Sequence, residues 1–136
     1  ACIEHPAIWL SAADAAHGDI GFLRKGDVLI MLSRGGNSDE LTRLLPTVKA
    51  KGTTLIAVTE NAASAIAQQA DLLLLIPKRQ EVDPLQMLAT TSIISVLAVF
   101  DAMVAALMSR SGYSKETLLA VHPGGNVGKV LREAQE

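Results

Sequence analysis

Residues 27–48 read DVLIMLSRGGNSDELTRLLPTV, and the fold turns on them. Val28–Leu32 is an unbroken apolar run, short enough for a strand and apolar enough to predict burial on both faces. The chain then passes through Ser33-Arg34-Gly35-Gly36-Asn37-Ser38, small and polar, before a helical pattern begins. Leu41, Leu44, Leu45 and Val48 recur at the spacing of one apolar helical stripe. A buried strand, a glycine turn and a helix N-terminus together make an anion site. The first helical amides lack internal partners, and the helix dipole adds partial positive charge there. Gly35 and Gly36 permit close approach of backbone to a ligand, while Ser33 and Ser38 offer hydroxyls. The pattern predicts a bound phosphate. It is also the pattern of a plain cap, with Asn37 at the N-cap and Glu40 as the reciprocal partner of a capping box. The two readings are compatible, because a cap orders the same amides that a phosphate would use.

Further along, Pro46 falls inside the helical pattern and predicts a kink, and Gly52 ends it with Lys49 and Lys51 in the last turn. Thr54–Thr59 is the next buried strand, residues 62–70 a short helix, and residues 72–76 a third strand closed by Pro77. Strand and helix alternating through short links predict βαβ units, hence an α/β fold with a parallel sheet and right-handed crossovers. Upstream, Ile8-Trp9-Leu10 is compatible with a strand, and Ser11 caps an Ala-rich turn leading to His17-Gly18-Asp19. Downstream, residues 85–109 read as a long helix, apolar almost all round, with Asp101 its only charge. Its length would span a membrane. Thr90, Thr91, Ser92, Ser95 and Asp101 interrupt the run, however, and no basic cluster flanks it beyond Arg110. The favoured expectation is a soluble helix covered on every side, by its own sheet and by another subunit. Gly112 ends it, Ser114 starts a short helix, and His122-Pro123-Gly124-Gly125 leads to a final turn ending at Glu136.

At 136 residues the chain is one domain with room for a sizeable core. It is 49% apolar with only 3% aromatics, which suits helices packed over a parallel sheet. Net charge is -2 with both signs interspersed, so no footprint for nucleic acid appears. Cys2 is the single cysteine, which excludes an intrachain disulfide and fits a reducing, cytoplasmic compartment. No signal peptide is visible, although Ala1 is not a natural start, so targeting stays open.

Three ionisable residues stand out beyond the loop. Glu81 lies just past the carboxyl end of the third strand, where ligand crevices open in such sheets. Glu40 sits at the same edge, in the first turn of the helix leaving the loop. His122 lies in a Pro/Gly turn that would fix it through backbone. Two carboxylates and an imidazole near a phosphate suit proton shuttling between adjacent sugar carbons. Each has a plainer alternative: a solvated loop charge for Glu81, a backbone-bonded turn histidine for His122, a cap for Glu40. His5 and His17 have no partner at ligand spacing, so neither metal nor cofactor is expected.

Ser33-x-Gly35-Gly36-x-Ser38-x-Glu40, Ala15-Ala16-His17-Gly18-Asp19, Glu81-x-x-Pro84 and His122-Pro123-Gly124-Gly125-x-x-Gly128 together resemble sugar isomerase (SIS) domains, most closely those of arabinose-5-phosphate isomerases. The resemblance runs from about Pro6 to Arg132 in the family's order. It implies a three-layer αβα sandwich around a mainly parallel, flavodoxin-like sheet of five strands. It implies a homotetramer or dimer with active sites shared between subunits. The reaction implied is isomerisation of a phosphorylated aldose and ketose through an enediol. By that resemblance Ser33 and Ser38 bind phosphate, Glu40, Glu81 and His122 are catalytic, and His17 lies near the site.

Three departures qualify it. Gly35 stands where the family usually has serine, and Arg34 where it has asparagine or a similar residue. A hydroxyl is lost and a guanidinium able to hold phosphate in a fork is gained. The family's first helix, first strand, glycine-rich loop and catalytic lysine are expected to precede Ala1, with Cys2-Ile3-Glu4 the tail of the first helix. The residues given stop soon after Gly128, and regulation by the nucleotide-sensing CBS domains that many relatives carry is not expected. Two other functions fit: a sugar-phosphate-sensing domain that binds without turnover, and an isomerase of hexulose 6-phosphates. Glu40, Glu81 and His122 together favour an enzyme over a sensor.

Overall fold

The computed structural model describes residues 3–134, which fall into two compact units, residues 9–95 and residues 96–134 with residues 3–8. The first unit runs α1 (Ala12–Ala16), a 3-10 turn (Asp19–Phe22), β1 (Val28–Leu32), α2 (Asp39–Thr42), α3 (Leu45–Lys51), β2 (Thr54–Thr59), α4 (Ala65–Gln69) and β3 (Leu72–Leu75). The strands form a parallel 3-stranded sheet in the order β1-β2-β3, with Ile30 beside Ile56 and Val58 beside Leu74. This is the α/β arrangement that the alternation of apolar runs predicts.

One face of the sheet carries the core. Met31, Leu55 and Ala57 pack with Ala15 of α1, Val48 of α3 and Ile66 of α4, together with Leu44. Each of the larger aliphatic side chains contributes about 1.5–3 kcal/mol when fully buried. The other face is different. Val28, Ile30 and Leu32 are 58%, 41% and 49% exposed, so β1 is not buried on both faces within this chain. Its apolar run is continuous because the residues on the second face are apolar too, whatever covers them.

Pro46 breaks the helix instead of kinking it. Proline lacks a donor and its ring clashes with the carbonyl of residue i−4, whereas the first turn of a helix tolerates it. The chain therefore ends α2 and restarts α3 with the proline in its first turn. The stripe survives the break, with Leu44 and Val48 buried. Gly52 closes α3 in the left-handed region at φ 68°.

Other expectations need correction. Residues 8–10 form no strand, and Trp9 is 88% exposed. Ile3 and Glu4 form a turn and a bend, with Glu4 at φ 59°, and no helix tail; Cys2 lies outside the described residues. The long helix, α5 (Thr91–Ser111), starts later than residue 85. Asp83 captures the preceding segment, its carboxylate accepting from the amides of Leu85 at 2.9 Å and Leu88 at 3.0 Å. Such local side-chain bonds compete with helix. Ser92 is the only buried residue of α5, which by length and composition alone could cross a membrane.

In the second unit, Gly112 ends α5 at φ 67°. Ser114 then caps α6 (Lys115–Val121), its hydroxyl accepting from Thr117 N at 3.2 Å. α7 (Gly125–Glu133) follows, and Gln135 and Glu136 lie outside the described residues. Gly128 abuts the Pro123 carbonyl, where any side chain would collide. That contact explains the spacing of the His-Pro-Gly-Gly-x-x-Gly motif.

Candidate active site

The loop leaving β1 is tied first to β2. Ser33 N donates to Val58 O at 3.1 Å. The Arg34 carbonyl accepts from Thr59 Oγ1 at 2.9 Å and from Glu60 N at 3.0 Å. The loop then folds on itself. Gly36 N donates to Ser33 Oγ at 3.1 Å, and Ser33 and Ser38 share a hydroxyl–hydroxyl bond of 2.9 Å. Gly36 adopts φ 70°, a conformation that disfavours any residue with a Cβ. Its Cα also faces the side chain of Ser64 so closely that a Cβ there would overlap it.

Asn37 does not cap the helix that follows it. Its Oδ1 accepts from Ala65 N at 2.8 Å, and the Gly36 carbonyl accepts from Ile66 N at 3.2 Å. Asn37 therefore caps α4, across the crossover. The N-cap of α2 is Ser38, with no side-chain cap bond. The capping box is absent because the loop's acceptors are drawn to the neighbouring helix, and Glu40 stands exposed in the first turn of α2. Since α2 has only 4 residues, its dipole is that of one turn, and hydroxyls and loop amides carry more of any anion affinity than expected.

Glu81 is 2% exposed. Its Oε2 accepts from Thr90 N at 2.9 Å, Thr90 Oγ1 at 2.9 Å and Ser92 N at 3.1 Å. It thus caps the start of α5, where unpartnered amides favour negative charge. Its pKa is lowered from 4.5 to about 2: the Ser92 hydroxyl is the largest cause, burial opposes it, and the Thr90 and Ser92 amides and the Thr90 hydroxyl add to the lowering. The second oxygen, Oε1, lies 3.0 Å from Arg34 Nη1, an ion pair without a directed hydrogen bond. Arg34 Nε in turn donates to Glu60 Oε2 at 3.1 Å. One guanidinium thus bridges two nearly buried carboxylates.

Glu60 is the residue that sequence reasoning missed. It lies one position beyond β2, the carboxyl-end placement that singles out Glu81, so the same rule finds it. Its Oε1 and the Ser64 hydroxyl are buried without a hydrogen-bond partner beside the loop, a condition rare enough to mark a site.

The structure thus joins Ser33, Gly36 and Ser38 to Glu81 through Arg34, with Gly35 in the same loop. Glu40 and His17 make no side-chain bond to this network. His17 is the exposed C-cap of α1. His122 is the exposed C-cap of α6, in the second unit. Among the described residues, no group of three or more His, Cys, Asp or Glu converges to hold a metal.

Residues 6–106 match the SIS domain model. The arabinose 5-phosphate isomerase KdsD of Pseudomonas aeruginosa is 37% identical over 93% of the chain and 39% of its own length. Among solved structures, a Listeria monocytogenes protein assigned as a sugar-phosphate isomerase superposes with a TM-score of 0.87 at 49% identity, covering 90% of this chain and 64% of that one. A protein of E. coli CFT073, solved in complex with arabinose 5-phosphate, gives 0.85 at 32% identity, covering 90% and 65%. These neighbours fit an αβα sandwich. The chain spans 39% of the Pseudomonas relative and 40% of an E. coli relative, KpsF.

Proposed function

The chain belongs to the SIS domain family, and on that ground we propose that it forms the isomerase domain of a soluble, cytoplasmic enzyme that interconverts arabinose 5-phosphate and ribulose 5-phosphate through an enediol. The observation that carries the reading is the bridge from the serine–glycine loop, through Arg34, to the buried carboxylate of Glu81. Ser33, Gly35, Gly36 and Ser38 hold the phosphate, with Arg34 adding charge. Glu81 takes the proton from the carbon beside the carbonyl. The C–H electron pair moves into the enediolate, and the proton, which exchanges with solvent while Glu81 holds it, is delivered to the neighbouring carbon. By the family resemblance His122 would open the sugar ring or move the proton between oxygens, Glu40 would share in the proton transfers, and His17 would lie near the site. A full-length protein supplies the family's first strand, glycine loop and lysine. It assembles as a dimer or tetramer with shared sites, which the exposed apolar side chains of α5 support.

One observation favours a second reading, a sugar-phosphate sensor. A carboxylate held at about 2 and engaged as a helix cap is a weak base at neutral pH. Deuterium exchange separates the two. Full-length protein incubated with arabinose 5-phosphate in deuterated water is expected to exchange carbon-bound hydrogen, and Glu81→Gln to slow this by about 10²–10⁴, the worth of a placed general base. Binding of pentose and hexose phosphates without any exchange establishes the sensor instead. Exchange on hexulose 6-phosphates alone shifts the assignment to a six-carbon substrate.

A further inference from the structure

Arg34 stands inside the phosphate-type loop, between Ser33 and Gly35, yet its side chain turns to two carboxylates. The two contacts are unequal. Nε makes a directed hydrogen bond to Glu60 Oε2, whose side chain is 7% exposed, and the Arg34 carbonyl is pinned by Thr59 and Glu60. Nη1 pairs with Glu81 Oε1 by charge and proximity alone. The guanidinium therefore has one anchored end and one looser end, and at 38% exposure it is open to solutes.

We propose that Arg34 couples the phosphate loop to Glu81: a terminal phosphate bound at the loop competes with Glu81 Oε1 for the looser end of the guanidinium and so frees that oxygen to act as the base. The proposal rests on the reading of the loop as a phosphate site and of Glu81 as base, and adds that the first controls the second.

Three features support it. A guanidinium has five N–H groups and binds phosphate oxygens as a fork, so a dianionic phosphate outcompetes a single carboxylate oxygen. Glu81 does not need Arg34 to stay in place, because Oε2 keeps three donors from Thr90 and Ser92. Losing the ion pair therefore changes Oε1 without releasing the carboxylate. The cation paired with Oε1 is Arg34, which also holds Glu60, while the Thr90 and Ser92 donors on Oε2 are neutral. Moving that cation off Oε1 removes its attraction for the charged carboxylate, and the lost attraction raises basicity. A base nearer working pH is the more effective one. A sugar without phosphate leaves Arg34 on Glu81, so selectivity for phosphorylated substrates is exerted on the chemical step as well as on binding.

The test uses full-length protein carrying ¹³C at the glutamate carboxyl carbons, with the Glu81 signal assigned by Glu81→Gln, and inorganic phosphate as the probe. Phosphate that shifts the Gly36 amide is expected to raise the Glu81 titration midpoint by about one unit or more. Arg34→Met is expected to raise it without phosphate and to abolish the response. Arg34→Lys, which keeps the charge but not the fork, gives an intermediate response and serves if the methionine variant folds poorly. A Gly36 shift with an unmoved Glu81 midpoint overturns the coupling and leaves the phosphate site standing. No Gly36 shift overturns both. A shifted midpoint in a protein that exchanges no carbon-bound hydrogen upholds the coupling and removes the isomerase.

Discussion

β2 and α5 are written in the same alphabet and meet opposite surroundings. In β2, Leu55, Ala57, Val58 and Thr59 are at most 4% exposed. In α5, Ile93, Ile94 and Leu97 are 50%, 65% and 54% exposed. β2 is the middle strand, hydrogen-bonded on both edges and covered by α4, so its burial is completed by its own neighbours. Among the described residues, nothing comparable covers these side chains of α5. Half exposed, each forgoes half of the about 1.5–3 kcal/mol that full burial gives, which argues that α5 is completed from outside the chain. An apolar sequence states a demand for burial and leaves open what meets it.

The heaviest loss is expected on the determined side. Gly36→Ala puts a Cβ on a residue at φ 70° and drives it against Ser64 and Thr59, both buried. Left-handed strain of about 1–2 kcal/mol adds to overpacking of about 1–3 kcal/mol. Urea unfolding is expected to show a loss of about 3.5 kcal/mol, the middle of that combined range. A loss below about 0.5 kcal/mol, the size of a neutral surface change, means that the loop is not locked to α4.

On the open side, Ile94→Glu divides the alternatives. If α5 faces water, the change stays within about 0.5 kcal/mol and assembly is unaltered. We expect instead dissociation of an oligomer in detergent-free sedimentation, with loss of the roughly 1.5–3 kcal/mol that a covered isoleucine contributes. Wild-type protein that needs detergent to stay in solution points to a membrane span.

The same contrast explains what the sequence made legible. β1 and β2 could be read to the residue, because contiguous apolar runs between turn residues leave few alternatives. Ser33, Gly36, Ser38 and Glu81 could be singled out as candidates because type and spacing carry their chemistry, and the structure links them through Arg34. Glu60 escaped, since a carboxylate just after a strand looks like a solvated charge. Its burial comes with Arg34, 26 residues away. The start of α5 was misjudged for a similar reason, as periodicity does not register a carboxylate of Asp83 taking the amides of Leu85 and Leu88. Cap assignment failed at Asn37 because proximity in the chain suggested α2, while the fold brings α4 closer.

Asn37 supplies the mildest change and the most local test. A side-chain cap is worth about 1 kcal/mol, so Asn37→Ala should cost that much wherever the cap acts. The position of the loss decides which helix it serves. With Asn37 Oδ1 on Ala65 N at 2.8 Å, hydrogen exchange should quicken at Ala65 and its α4 neighbours, while the first amides of α2 keep their rates. Asn37→Asp keeps the acceptor and should preserve α4 protection, separating loss of the bond from loss of bulk. Faster exchange confined to Asp39 and Glu40 would restore the capping box and detach the loop from α4. The Gly36 prediction would weaken with it, because the same crossing contact holds both residues against that helix.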